Sequence, residues 1–169
     1  MLGGMTRRTH RLLLSAGVAL LSLAADAATK AWARSALRDR HRITVPGGLI
    51  RLQLVANHGA AFGIGAAYEP LLAAVSIAGV ILLGAWAWFA SPRLERFGAA
   101  LAAGGAAGNL LDRLIRPPAP LHGAVTDWIH VSFYAPTFNL ADLFLRAGIL
   151  LAAIAWLLTR PNRHRSTGT

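Results

Sequence analysis

The chain has no cysteine, which excludes disulfide bridges, thiolate metal ligands and a cysteine nucleophile together. Charge is scarce as well: Asp, Glu, Lys and Arg make up 14% of the 169 residues, against roughly 25% in an ordinary soluble domain. Only seven residues are acidic, and Lys30 is the sole lysine. The six histidines (His10, His41, His58, His122, His130, His164) show neither H-x-x-x-H nor H-E-x-x-H spacing. A zinc site would therefore have to rest on carboxylates, and surface or interfacial roles are expected for these rings. No G-x-S-x-G occurs, and no serine lies where helix geometry brings it to Lys30 for a Ser-Lys dyad.

What the chain has in abundance is apolar sequence, with 55% hydrophobic residues and a mean hydropathy of +0.49. That is the composition of a membrane protein. The formal charge of +10 would raise nucleic acid as a partner in a soluble chain. Here the arginines cluster at both termini and between Arg34 and Arg51, a pattern that anionic lipid headgroups explain more simply. Membrane lipids are expected as partners and nucleic acid is not.

Four apolar segments stand out: Leu12 to Ala28, Pro70 to Ala90, Phe97 to Leu111 and Leu140 to Leu158. Each approaches the ~20 residues that cross a hydrocarbon core, the third only if it extends to Leu94 or past Asp112. The expected fold is an all-α membrane protein, a four-transmembrane-helix bundle forming a single domain over 1–169. Its spans are placed at about 12–33, 69–90, 94–115 and 138–159. The stretch TRRTHRLLLSAGVALLSLAADAA also has the basic, apolar and A-x-A regions of a cleavable signal peptide. Against that, ATKAWARSAL continues as good helix former, and Asp26 and Lys30 sit four apart on one helical face. The segment is expected to stay in the mature protein.

The two tails and the link SPRLER hold eight of the 17 basic residues, so the positive-inside rule puts both termini in the cytoplasm. On the outer side, RITVPGGLIRLQLVANHGAAFGIG alternates apolar and polar residues from Leu49 to Leu54, with glycines on both sides, which predicts a small extracytoplasmic β element at about 42–65. Between spans three and four, IRPPAPLHGAVTDWIHVSFYAPT opens with three prolines near its start and continues with Trp128, Phe133 and Tyr134, aromatics suited to the membrane interface. It is expected as a partly embedded periplasmic loop or helix over the site. The small-residue run GGAAG favours close helix packing.

In an up-down-up-down bundle, the end of span one, the end of span three and the start of span four share one membrane face. Asp26, Asp112 and Asp142 occupy these places, and Asp127 lies in the loop joining the last two spans. A charge in a membrane helix costs on the order of 2.5 to 3.5 kcal/mol at its centre, so each asks for a reason. Asp26 with Lys30, and Asp112 with Arg113 or Arg116, read as ion pairs that lock helix ends. Asp127 and Asp142 have no partner so near apart from Arg146. Two carboxylates in a partly dry site share a proton, as in an aspartic protease, where one takes a proton from water while the other protonates the carbonyl oxygen.

The stretches DAATKAW, NHGAAFGI, GGAAGNLLDRL with VTDWI, and FNLADLFLRAG match, in this order, the patterns D-x-x-T-K, N-x-G-A-A-F, G-N-x-x-D-R, V-x-D-[FW] and F-N-x-A-D. In them the chain resembles lipoprotein signal peptidase, the bacterial signal peptidase II family, from the first span to the last. The resemblance implies a membrane aspartic endopeptidase that cleaves the signal peptide from diacylglyceryl-modified prolipoproteins, before the lipidated cysteine. It implies Asp127 and Asp142 as the catalytic pair, with Asn109, Arg113 and Asn139 in support. Asn57 belongs to the substrate-cradling β element, and Asp26, Lys30 and Asp112 take architectural roles. No metal or organic cofactor is implied. The setting expected is the bacterial cytoplasmic (inner) membrane, with the site near the outer leaflet and a monomer as the working unit.

Two features depart from the pattern. The link between Arg113 and Asp127 is lengthened by IRPPAPLHG, and Arg146 stands four residues after Asp142, to be read either as a helix or headgroup contact or as a group tuning Asp142. The alternative function is a small transporter or proton-conducting protein, for which carboxylates would be stacked at several depths.

Overall fold

The computed structural model describes residues 2–59, 68–117 and 120–159. The chain runs α1 (Leu2–Ala36), a 3-10 turn (Arg38–Arg40), β1 (Arg42–Thr44), β2 (Ile50–Asn57), α2 (Glu69–Phe89), α3 (Arg93–Ile115), β3 (Val125–Val131), β4 (Tyr134–Phe138) and α4 (Leu140–Thr159). Among the described residues three helices are long and apolar enough to cross a membrane: α1 over Arg7–Ala36, α2 and α4. Pro70 stands in the first turn of α2, where its missing N–H would be unpaired in any case.

The helix α3 has 23 residues but replaces large apolar side chains with alanine and glycine, and its place in the bundle explains why. It packs against α1, α2 and α4, and Ala99, Ala100, Ala102 and Ala106 are buried. A Cβ on Gly98 would lie 2.6 Å from the Gly148 carbonyl oxygen, and one on Gly105 2.5 Å from that of Ala141. The α3–α4 seam is thus backbone against backbone, a packing that only small residues permit. Outward faces show the opposite choice: Leu82 on α2 is 69% exposed and Leu150 on α4 is 62% exposed, apolar surface with no protein over it.

A four-stranded antiparallel sheet of order β1-β2-β3-β4 sits at one end of the helices. Strand β2 pairs with β3 in the register Val55 to Asp127 and Asn57 to Val125, with an irregularity between Leu52 and Val55. This pairing joins two parts of the chain separated by α2 and α3. Of the segment expected as a loop or helix over the site, the described residues 116–117 and 120–124 are turn and coil, and from Val125 onward it is instead the hairpin β3–β4. Its strand pattern was hidden because both faces of β3 are covered at its start, where Val125, Thr126 and Asp127 are all buried, so no alternation of polarity marks it. Trp128 packs edge to face on Trp32 of α1, ring centroids 5.5 Å apart. The β element expected at 42–65 therefore extends into residues far along the chain, while its part at 60–65, with AAFGI of the second motif, lies outside the described residues.

Candidate active site

Helix α4 starts with Asn139 as its N-cap. The Asn139 Oδ1 accepts the Asp142 backbone N–H at 3.0 Å, and Asp142 Oδ2 accepts the Asn139 N–H at 3.2 Å. This reciprocal capping box fixes the Asp142 carboxylate at the first turn of the helix. The Asp142 Oδ1 accepts a further bond, 2.9 Å, from Asn109 Nδ2 on α3.

Asp127 reaches the same place from the sheet. Its Oδ2 accepts from Asn57 Nδ2 at 2.9 Å, a diagonal neighbour across the β2–β3 pair, and its Oδ1 accepts from Asn139 Nδ2 at 2.7 Å. Asn139 Nδ2 also donates to Asn109 Oδ1 at 3.1 Å. Three amide side chains therefore tie the two carboxylates into one network that spans β2, α3, β3 and α4. Asp127 is 2% exposed, and its pKa is pushed up from the ordinary 3.8 to about 6, chiefly by burial, with the nearby Asp142 charge adding to the rise and the Asn57 and Asn139 bonds opposing it.

Behind this pair lies a second layer of charge. Lys30 Nζ is 2.7 Å from Asp26 Oδ2, 3.2 Å from Asp112 Oδ2 and 2.9 Å from Asn109 Oδ1. The sole lysine thus offsets two buried carboxylates and holds the amide that in turn holds Asp142. Asp26 Oδ1 accepts the Ala141 N–H of α4 at 2.9 Å, and Asp112 Oδ2 accepts the Thr126 N–H of β3 at 2.9 Å. Each of these carboxylates anchors the backbone next to one of the paired aspartates. Asp112 is also joined by Arg116 Nε at 3.2 Å. Arg113 turns elsewhere and donates to the Gly59 carbonyl at 2.7 Å, fixing the end of β2.

Sequence reasoning missed Arg34, whose Nη1 lies 3.8 Å from Asp112 Oδ1 and 3.1 Å from Thr126 Oγ1. A signal was present, since Asp26, Lys30 and Arg34 follow at four-residue steps along one helical face. The backbone anchors at Ala141 and Thr126 had none. Among the described residues Arg146 forms no ion pair with Asp142: its Nη1 is 3.3 Å from the Tyr134 hydroxyl and its guanidinium stands 6.0 Å from that ring's centroid.

A cavity of about 370 Å³ opens on the pair, lined by Asn57, Asn109, Arg113, Asp127 and Asp142, with Leu72, Val75 and Leu83 of α2 as an apolar wall. Polar groups converge on one side and hydrocarbon covers the other, which suits an extended peptide whose flanking residues are apolar. Among the described residues no group of three His, Asp or Glu side chains is placed to hold a metal ion.

Membrane-crossing helices, capped at one end by a small sheet that delivers a buried carboxyl to a second one on a helix terminus, define the class: a helical membrane enzyme. A solved bacterial membrane enzyme, determined in meso at 2.3 Å, superposes with a TM-score of 0.76 at 24% identity, covering 92% of this chain and 94% of that one. A second, at 1.9 Å, gives a TM-score of 0.72 at 25% identity over 87% and 94%. The family model for signal peptidase (SPase) II matches residues 18–158. The lipoprotein signal peptidase of Mycobacterium leprae (strain Br4923) is 34% identical over 154 residues, 87% of this chain and 72% of that protein. That of Bifidobacterium adolescentis is 34% identical over 155 residues, 92% and 82%. The chain belongs to the signal peptidase II family.

Proposed function

We infer that this protein removes the signal peptide from prolipoproteins by an aspartic mechanism, with Asp127 and Asp142 as its catalytic pair. The family membership and the names of the relatives support the reaction class and the substrate. The observation that carries the chemistry is the network in which Asn139 donates to Asp127 and caps Asp142 with the same side chain. In this reading the proton resides on Asp127, whose burial favours the neutral carboxyl. Asp142 takes a proton from a water held between the two, the resulting hydroxide adds to the scissile carbonyl carbon, and Asp127 gives its proton to the carbonyl oxygen. Collapse of the tetrahedral intermediate releases the new carboxyl end and an amine that recovers a proton from the pair.

In the same proposal α3 is the third of four spans, both termini are cytoplasmic in the inner membrane, and the pair lies near the outer leaflet. The substrate's signal helix enters from lipid along α2 and α4, leaving the acyl chains of its diacylglyceryl cysteine in the bilayer. A monomer contains every residue of the site. Asn109, Asn139 and Asn57 orient the carboxyls, while Lys30, Asp26 and Asp112 hold the elements that carry them. The transporter alternative loses its ground, because the four aspartates form one connected group at one end of the bundle.

The test is cleavage of a lipidated prolipoprotein by the purified protein in micelles, compared with Asp127→Asn and Asp142→Asn. The wild-type chain is expected to yield the shortened lipoprotein and neither variant to do so while both stay folded. Cleavage by either variant at the wild-type rate would remove the assignment of the pair and leave the family membership standing.

A further inference from the structure

At the end of the bundle opposite the sheet, the start of α1 meets the α2–α3 junction around two adjoining cavities of about 950 Å³ and 390 Å³. Arg7, Arg11 and Arg96 line both. Arg93 joins them in the larger cavity, and Arg8, set 5.7 Å from the Trp88 ring centroid, in the smaller. Five guanidiniums thus surround one place. Among the described residues none of the five forms an ion pair. Glu95, the carboxylate next to them in sequence, accepts the Trp86 indole N–H at 2.7 Å and is engaged there. Arg96 is the most telling: it is 8% exposed, and its Nη1 has only the Ala90 carbonyl, 3.2 Å away. A buried cation without a counter-charge is costly, and an anion from outside the chain would offset that cost.

The apolar parts of the two cavities say which kind of anion fits. In the larger one Leu14 and Val18 follow one and two turns after Arg11 along α1, and Phe97 follows Arg93 along α3. In the smaller one Leu12, Trp88 and Phe89 form the wall. Charge at the helix ends with hydrocarbon a turn or two deeper is the profile of an amphiphile held upright in a leaflet. A free phosphate would leave that apolar surface unused. We propose that this end of the bundle binds an anionic phospholipid, its phosphate held by Arg7, Arg11 and Arg96 and its acyl chains in the apolar clefts on either side.

The site is remote from the carboxylate pair, so its test does not depend on the peptidase reading. The full chain in detergent micelles is titrated with phosphatidylglycerol, with phosphatidylcholine of the same chains and with inorganic phosphate, and bound lipid is counted by native mass spectrometry. The wild-type protein is expected to retain phosphatidylglycerol in preference to phosphatidylcholine, with inorganic phosphate unable to displace it. The exposed pair Arg7 and Arg11 is then changed together to Gln, which should weaken phosphatidylglycerol binding about 25-fold, at roughly fivefold for each guanidinium. Thermal unfolding of that variant in the same micelles should match wild type, which certifies its fold. Equal retention of the two lipids, displacement by inorganic phosphate, or undiminished binding in the variant would each overturn the proposal.

Discussion

In Asp127→Asn, the carboxyl that β3 buries is replaced by a group that does not ionise at any pH. The wild-type carboxyl is 2% exposed and has its pKa raised from 3.8 to about 6. The folded protein therefore binds this proton more tightly than the unfolded chain does. The stability that comes with it is fully present below the unfolded value and is lost as the pH rises through about 6. The rise corresponds to a fall in wild-type stability of about 3 kcal/mol across that pH range, and the variant, neutral at every pH, does not show this fall. A separate, pH-independent cost comes from hydrogen bonding, since the new amide accepts from only one of Asn57 and Asn139 and turns its own NH2 toward the other, at about 1–3 kcal/mol. Unfolding of both proteins in micelles from about pH 4 to about pH 8 should give curves that are offset at low pH and converge or cross at high pH. Cleavage of a lipidated prolipoprotein should fall by at least about 100-fold, the lower end of what a general acid contributes. Parallel stability curves would refute the buried-proton argument, and cleavage within tenfold of wild type would refute the catalytic one.

Asn139→Ala removes the N-cap of α4 and one donor to Asp127 at once, so about 1 kcal/mol of stability and at least tenfold in turnover should be lost, read by thermal unfolding and single-turnover cleavage. Lys30→Met leaves Asp26 and Asp112 without their shared cation, and a loss of about 3–5 kcal/mol should show as failure to accumulate in the membrane; normal accumulation would count against the network. Gly105→Ala sets a methyl 2.5 Å from the Ala141 carbonyl, whereas Gly79→Ala meets nothing within 4 Å, so the first should cost about 1–3 kcal/mol and the second should be neutral or stabilising in the same melting assay. Arg146→Ala breaks a contact with Tyr134 and none with Asp142, and the pH profile of cleavage should stay where it is; a displaced profile would make Arg146 a tuning group after all.

Where the acids gather was legible in the chain itself, and the reason is the medium. Hydrocarbon penalises charge so heavily that seven acidic residues among long apolar runs mark themselves. Asp26 and Lys30, a turn apart on one helix, even declare their pairing. How the acids are wired was much less legible. Asp112 is reached by Lys30, Arg116 and Arg34 rather than by its neighbour Arg113, which swings to the Gly59 carbonyl. The strand that carries Asp127 was unreadable as a strand, because burial on both faces erased its alternation. Arg146, four residues from Asp142, turned to an aromatic ring on β4 instead.

By itself, then, the sequence determined the membrane class, the positions of its apolar helices and the identity of the acids at one end, since each of these follows from local composition and from spacing along a helix. Only the tertiary structure decided that β2 and β3 pair across two intervening helices, that Asn139 serves Asp127 and Asp142 together, and that Lys30 stands between Asp26 and Asp112. Some of the contacts behind this arrangement join residues 70 or more positions apart, as Asn57 with Asp127 and Lys30 with Asn109. They depend on which elements meet in space, which no local pattern encodes.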